Sequence, residues 1–180
     1  ARFRATCEWL ANHHVQFIRV LGQVAWPQTA NPPFENGHAI FIRPFDDQYS
    51  DTLGRLIDIA YDDYGLRVEL SIYGEWPQST DPPGSTPVRT AERIRDVVAS
   101  RLHKMHSIET TNEGHVDQAT MFAMGDALKS LGVLLSPTTP NDIDQGLAWV
   151  RSGHGFTHVT PRFERGNGDK DWRFPRQPSE

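Results

Sequence analysis

The chain has 180 residues, a formal net charge of −5 and a single cysteine, Cys7. This length suffices for one compact domain with a real core, and the scattered lysines and arginines argue against a nucleic-acid surface. No apolar run approaches the roughly 18 residues of a membrane span, and one cysteine excludes an internal disulfide framework. We therefore expect a single domain, or a segment of one, over 1–180 that neither binds nucleic acid nor spans a membrane, and the compartment stays open.

The first part of the chain alternates between helical and strand-like patterns. Residues 4–12 have apolar side chains at helical spacing, which predicts the end of a helix. A run of β-branched residues at 17–24 then predicts a strand that is buried on both faces. After a long loop, Ser50 or Asp51 is expected to cap a helix that ends at Gly65.

The same alternation continues to the end of the chain. Residues 66–73 predict the second strand, and Thr86–Pro87 opens the next helix because proline suits the first helical position. The third strand is predicted at 105–111, and two more are predicted at 133–136 and 156–160, each after a helical pattern. Five strands separated by helices, with no hairpin turn, predict parallel β/α units.

The loops differ in length at the two ends of the predicted strands. The loops after strands are long, as at 26–49 and 74–86, and they contain Trp26 and Trp76, whereas the loops before strands have two or three residues. Long loops at one end of a tightly connected scaffold are typical of the catalytic face of a β/α barrel. The glycine-rich phosphate turn of nucleotide-binding doubly wound sheets is absent from the sequence. We predict an α/β fold, a partial parallel β/α barrel of TIM type with about five units.

Asn112–Glu113 stands where the third predicted strand ends. A carboxylate at the carboxyl end of a strand, followed by a helix, is where a barrel enzyme places its chemistry. The alternative is that Glu113 is a solvated residue that only precedes the next helix.

The histidines raise a further hypothesis, that of a metal site. His103 and His106 stand at the start of the third predicted strand, whereas His115 and Asp117 follow its end. Several residues at about 3.3 Å each separate the two groups by more than one ion can bridge. We therefore expect neither a metal nor a cofactor.

Three segments resemble a known family in their order along the chain. They read FIRVL at 17–21, YGLRVEL at 64–70 and IETTNE at 108–113. They resemble strands two, three and four of the clan of retaining glycoside hydrolases with (β/α)8 barrels, which includes many cellulases and mannanases. The resemblance covers roughly strands two to six, so strands one, seven and eight are not evident.

The resemblance implies a retaining O-glycosidase that acts on oligosaccharides or polysaccharides. In that clan the arginine of the second strand, here Arg19, supports the active-site carboxylates. We therefore predict that Arg19 and Glu113 both lie near the carboxyl ends of their strands, within one cleft. The Asn-Glu pair supplies a substrate-binding amide and the general acid/base, which implies these roles for Asn112 and Glu113. Trp26 and Trp76, on loops at the same end, would stack on the faces of pyranose rings. The expected partner is therefore a carbohydrate.

The resemblance leaves one catalytic group unassigned and one alternative open. The clan's nucleophile is a glutamate on strand seven, and no residue here can be given that role. The alternative function is a non-catalytic, glycosidase-like module that binds carbohydrate or serves as a structural part of a larger assembly, such as a virion or a cell-surface protein. Further segments of the same chain are the other partner considered. The sugar and the linkage stay open.

Overall fold

The computed structural model describes residues 2–23, 48–73, 86–112, 116–138 and 143–159. The described helices are α1 Arg2–Asn12, α2 Tyr49–Asp58, α3 Pro87–Val98, α4 Gln118–Leu128 and α5 Ile143–Val150. The described strands are β1 Phe17–Gln23, β2 Arg67–Tyr73, β3 Met105–Thr111 and β4 Leu134–Ser136. Within these ranges, no helix is long and apolar enough to cross a membrane.

The four strands form one sheet in the order β1-β2-β3-β4, and each neighbouring pair is parallel. Connections between parallel strands are right-handed as a rule, so an order without reversal carries every connecting helix to the same side of the sheet. A doubly wound sheet would reverse its strand order. The predicted parallel β/α arrangement is confirmed over these four strands.

The two faces of the sheet differ in chemistry, because successive side chains of a strand point to opposite faces. One face packs against the helices through fully buried apolar side chains, among them Val68, Leu70, Ile72, Ile108 and Leu135. The other face, called the inner face below, carries polar side chains at registered positions: Arg19, Glu69, Ser71, Ser107, Glu109 and Ser136. A polar inner face with helices outside is the layout of a barrel wall.

The expectation that β1 is buried on both faces is wrong. Ile18 and Val20 pack against the apolar core, whereas Phe17 is 39% exposed and the Arg19 side chain is 37% exposed. The β-branched side chains therefore cover only the helix-facing side of this strand.

Two helix starts show what capping residues can predict. Thr86 caps α3 as expected, since its side chain accepts a hydrogen bond from Arg89 N at 3.3 Å and proline follows at the first helical position. The predicted cap of α2 is wrong, because the helix begins at Tyr49 and its N-cap residue, Gln48, makes no side-chain capping bond. Tyr49 is 1% exposed, so packing of its ring, rather than a cap, fixes the start of this helix.

The predicted fifth strand is also wrong over its described residues, 156–159, which form no strand. Thr157 nevertheless lies beside β4, where its backbone N donates to Leu135 O at 2.8 Å. Leu135 N donates in turn to the Thr157 hydroxyl at 2.9 Å. The Thr157 hydroxyl oxygen accepts this bond in place of a backbone carbonyl. The regular hydrogen-bond pattern of paired strands therefore does not form here.

Gly125 in α4 is the point where this last segment contacts the helix layer. A Cβ at this position would lie 2.5 Å from His154 O and 2.9 Å from Phe156 Cζ. In an ordinary helix interior, alanine is more stable than glycine by about 1 kcal/mol. The close approach of a backbone oxygen reverses that preference here.

We therefore expect Gly125→Ala to lower the free energy of unfolding by about 1–3 kcal/mol, as overpacking does. Urea denaturation of the variant and the parent protein measures the difference. Ala123→Gly, two residues earlier in the same helix, is the control and should show the ordinary helix penalty of about 1 kcal/mol. A more stable Gly125→Ala variant would contradict the close packing of residues 154–156 on α4.

Candidate active site

Arg19 lies between two carboxylates on the inner face. Its Nε is 3.3 Å from Glu69 Oε1, and its Nη2 donates to Glu109 Oε2. The parallel register explains the arrangement, since Arg19 is paired with Glu69, while Glu109 is paired with Ser71, two residues further along β2. One guanidinium thus connects three strands.

Glu109 is the most buried charged group of this network, with 2% of its side chain exposed. Its Oε2 also accepts a hydrogen bond from Ser71 Oγ at 2.8 Å. Its other oxygen, Oε1, is buried and has no hydrogen-bond partner among the described residues. Burial raises the pKa of Glu109 to about 7, although Arg19 and Ser71 act in the opposite direction. The negative charge of Glu69 adds to the increase.

Two histidines border this network. The ring of His106 stacks on Phe17 with ring centroids 4.3 Å apart. Burial lowers the pKa of His158, the charge of Glu69 raises it, and that of His106 lowers it, so His158 is within electrostatic reach of both groups. The network on the inner face thus combines one arginine with two carboxylates, and two imidazoles border it. The carboxylates and imidazoles are groups that can hold and move protons.

The histidines do not form a metal centre in the part of the chain that the structure describes, where no three His, Cys, Asp or Glu side chains are placed to hold an ion. His103 instead meets the edge of Tyr61, with ring centroids 5.5 Å apart. His115 lies outside the described residues.

Two of the predicted site residues fall within the described structure. Asn112 directly follows β3, and its backbone N donates to Tyr73 O at 2.7 Å, so it lies at the carboxyl edge of the sheet as expected. Arg19 is the third residue of β1, and the expectation that it lies near the carboxyl end of its strand is wrong. Apolar residues flank Arg19 on both sides in the sequence. The pattern therefore did not indicate how far along the strand Arg19 lies.

Glu113, Trp26 and Trp76 lie outside the described residues, so their roles stay predictions. The same holds for the prediction that Arg19 and Glu113 share one cleft. Glu109 received no role from the sequence, although a glutamate inside a predicted strand is itself a signal. A carboxylate is rarely fully buried unless it is paired.

Comparisons with known proteins give a likeness in fold to a solved structure. No family model and no curated protein matches the chain. An exo-β-1,4-mannosidase, Op5Man5 from Opitutaceae bacterium strain TAV5, is similar in structure, with a TM-score of 0.53 and 18% identity. The match covers 74% of this chain and 27% of the mannosidase chain, so this chain spans about a quarter of that enzyme's length. At this identity the likeness concerns the fold alone. The mannosidase is a TIM-barrel enzyme, which confirms the predicted partial barrel.

The raised pKa of Glu109 has a consequence for stability. The folded state holds a proton on this carboxyl up to about pH 7, whereas the unfolded chain loses it near pH 4.5. The folded state therefore binds more protons between these two values, and Glu109 lowers the stability of the protein as pH rises through that window. A difference of this size corresponds to roughly 3 kcal/mol.

We expect Glu109→Gln to flatten the dependence of unfolding free energy on pH between about 5 and 7. Urea denaturation at several pH values measures it. Glu8→Gln, at an exposed position of α1, should leave the slope unchanged. An unaltered slope in Glu109→Gln would mean that Glu109 ionises normally in the folded protein.

Proposed function

We propose that this chain is part of the catalytic domain of a retaining glycoside hydrolase that acts on oligosaccharides or polysaccharides, with Glu113 as the general acid/base. The observation that supports it most is the position of Asn112 at the carboxyl edge of a parallel barrel sheet, one residue before Glu113. Functional groups of TIM-barrel enzymes lie at this edge. The likeness in fold to a mannosidase adds to this support.

The proposed chemistry requires two carboxyl groups. A protonated acid delivers its proton to the leaving glycosidic oxygen, and a second carboxylate attacks the anomeric carbon to form a glycosyl-enzyme. Glu113 takes the first role in this proposal and then activates water for the second step. The Asn112 amide donates a hydrogen bond to a sugar hydroxyl, and Trp26 and Trp76 stack on pyranose rings.

The polar inner face fits this proposal better than an ordinary structural barrel core does. Barrel interiors are usually filled with bulky branched side chains. Here the registered positions carry a charged network of Arg19, Glu69 and Glu109, whose burial costs free energy. Such a cost suggests a network retained for its charge.

The alternative is a glycosidase-like module without catalysis, and one observation favours it. Both carboxylates of the described inner face, Glu69 and Glu109, are engaged by Arg19 below the carboxyl edge, and neither is available as the nucleophile. A binding module would retain affinity for oligosaccharide without turnover. Calorimetric titration with manno- and cello-oligosaccharides, beside an assay for reducing ends, distinguishes the two functions.

The central test is Glu113→Gln in the full-length protein. The amide keeps the shape of the side chain but has no proton to deliver, so hydrolysis of natural glycosides should fall by about 10² to 10⁴. Substrates with an activated phenol leaving group need little protonation, and their first step should be largely retained. Release of phenol in the first turnover and release of sugar at steady state measure the two effects.

Glu92→Gln, on α3, is the matched control and should hydrolyse both substrates normally. Full activity of Glu113→Gln on a natural polysaccharide would show that Glu113 is not the general acid. Circular dichroism of both variants separates loss of chemistry from loss of fold.

Asn112 provides an independent test. Asn112→Ala removes the proposed amide donor and should lower kcat/KM by about 10² if the bond forms mainly in the transition state. Its backbone bond to Tyr73 O does not involve the side chain and should survive. Unchanged kinetics in Asn112→Ala would show that the Asn112 amide does not bind the sugar hydroxyl, which would count against the proposed site.

A further inference from the structure

The Arg19 guanidinium divides its contacts between two carboxylates that differ in exposure. Glu69 has 15% of its side chain exposed and faces the Nε of Arg19, whereas Glu109 has 2% exposed and faces Nη2. The two acidic groups compete for one cation. A change in the charge of either carboxylate therefore changes how strongly Arg19 is held by the other.

The hydrogen bonds of Glu109 are concentrated on one of its two oxygens. Arg19 and Ser71 both donate to Oε2, while Oε1 is buried and unpartnered among the described residues. An oxygen that accepts two hydrogen bonds carries the negative charge, so a proton taken up by this carboxyl goes to Oε1. The geometry thus contains a protonation position that leaves the Ser71 contact intact.

The charged groups around Glu109 come from the strands on one side of it. β1 supplies Arg19 and β2 supplies Glu69, whereas β4 faces it with Ser136, which is neutral. His158 lies within electrostatic reach of Glu69 and of His106, the imidazole on β3. Arg19 is the cation in contact with Glu109 within the described structure.

We infer that Glu109 is a positioning residue whose ionised form holds Arg19 across β2 and whose neutral form releases Arg19 to Glu69 alone. In functional terms the inference rests on the proposed glycosidase, since it makes the charge beneath the substrate edge depend on pH. The network carries one net negative charge when Glu109 is ionised and none when it is neutral. The buried, paired environment of Glu109 makes the two forms comparable in free energy near neutral pH.

Nuclear magnetic resonance on the full-length protein tests the inference directly. The ¹³C signal of the Glu109 carboxyl and the ¹⁵N signals of the Arg19 guanidinium are followed from pH 4 to pH 9. We expect both to change with a common midpoint near pH 7. Arg19 signals that stay constant while Glu109 titrates would overturn the inference, as would a Glu109 midpoint near 4.5.

Two variants should move this midpoint in opposite directions, which a purely structural role does not explain. Ser71→Ala removes a donor to the ionised carboxylate and should raise the midpoint by about one pH unit. Glu69→Gln removes a like charge and leaves Arg19 to Glu109, so the midpoint should fall.

Ser107→Ala is the control, because this buried serine on the same face contacts His106 instead. Shifts in the same direction, or none, would overturn the inference.

The pH dependence of kcat/KM adds a functional measurement. If the proposed glycosidase is correct, one ionisation of the free enzyme should move up in Ser71→Ala and down in Glu69→Gln, in step with the resonance midpoints. Absence of turnover would refute the proposed function while the resonance data still decide the inference. An active enzyme with uncoupled Arg19 and Glu109 signals would refute the inference and leave the proposed function standing.

Discussion

The contact of Arg19 with two carboxylates is the constraint on which the rest of this structure depends. Taking a carboxylate as buried as Glu109 out of water costs several kcal/mol unless a cation and hydrogen bonds compensate for it. Compensation requires β1, β2 and β3 to align so that Arg19 reaches both Glu69 and Glu109. A slip of one residue in either pairing would turn one of these side chains to the helix side. The network therefore favours this register over a slipped one.

The strand order explains why the sheet has two unlike faces. Parallel sheets usually carry apolar side chains on both sides, because helices cover both. Here the strand order has no reversal, so the helices gather on the apolar side, and polar groups line the other. A barrel resolves this asymmetry by closing the polar side into an interior. The fold similarity to a TIM-barrel mannosidase agrees with this reading.

Much of this architecture could be predicted from the sequence, because it depends on local patterns. Four strands and the Thr86 cap follow from apolar runs and capping chemistry that act within a few residues. The start of α2 and the irregular path at Thr157 could not be predicted, since a buried Tyr49 ring and a side-chain bond to β4 are tertiary contacts. The role of Glu109 was hidden for the same reason. It depends on a register between strands that no single segment encodes.

The register also sets the distance between the charged network and the carboxyl edge of the sheet. Arg19 is paired with Glu69, whereas Asn112 bonds to Tyr73, four residues further along β2. Four residues span about 13 Å, of which the arginine side chain recovers only part, so roughly 10 Å separates the guanidinium from the carboxyl edge. Over that distance one unit of charge is worth about 1–2 kcal/mol at an effective dielectric constant of 20. An energy of this size shifts the pKa of any acid at the edge by about one unit. In the proposed glycosidase, the network would act on an acid beside Asn112 through its field, and protonation of Glu109 would vary that field.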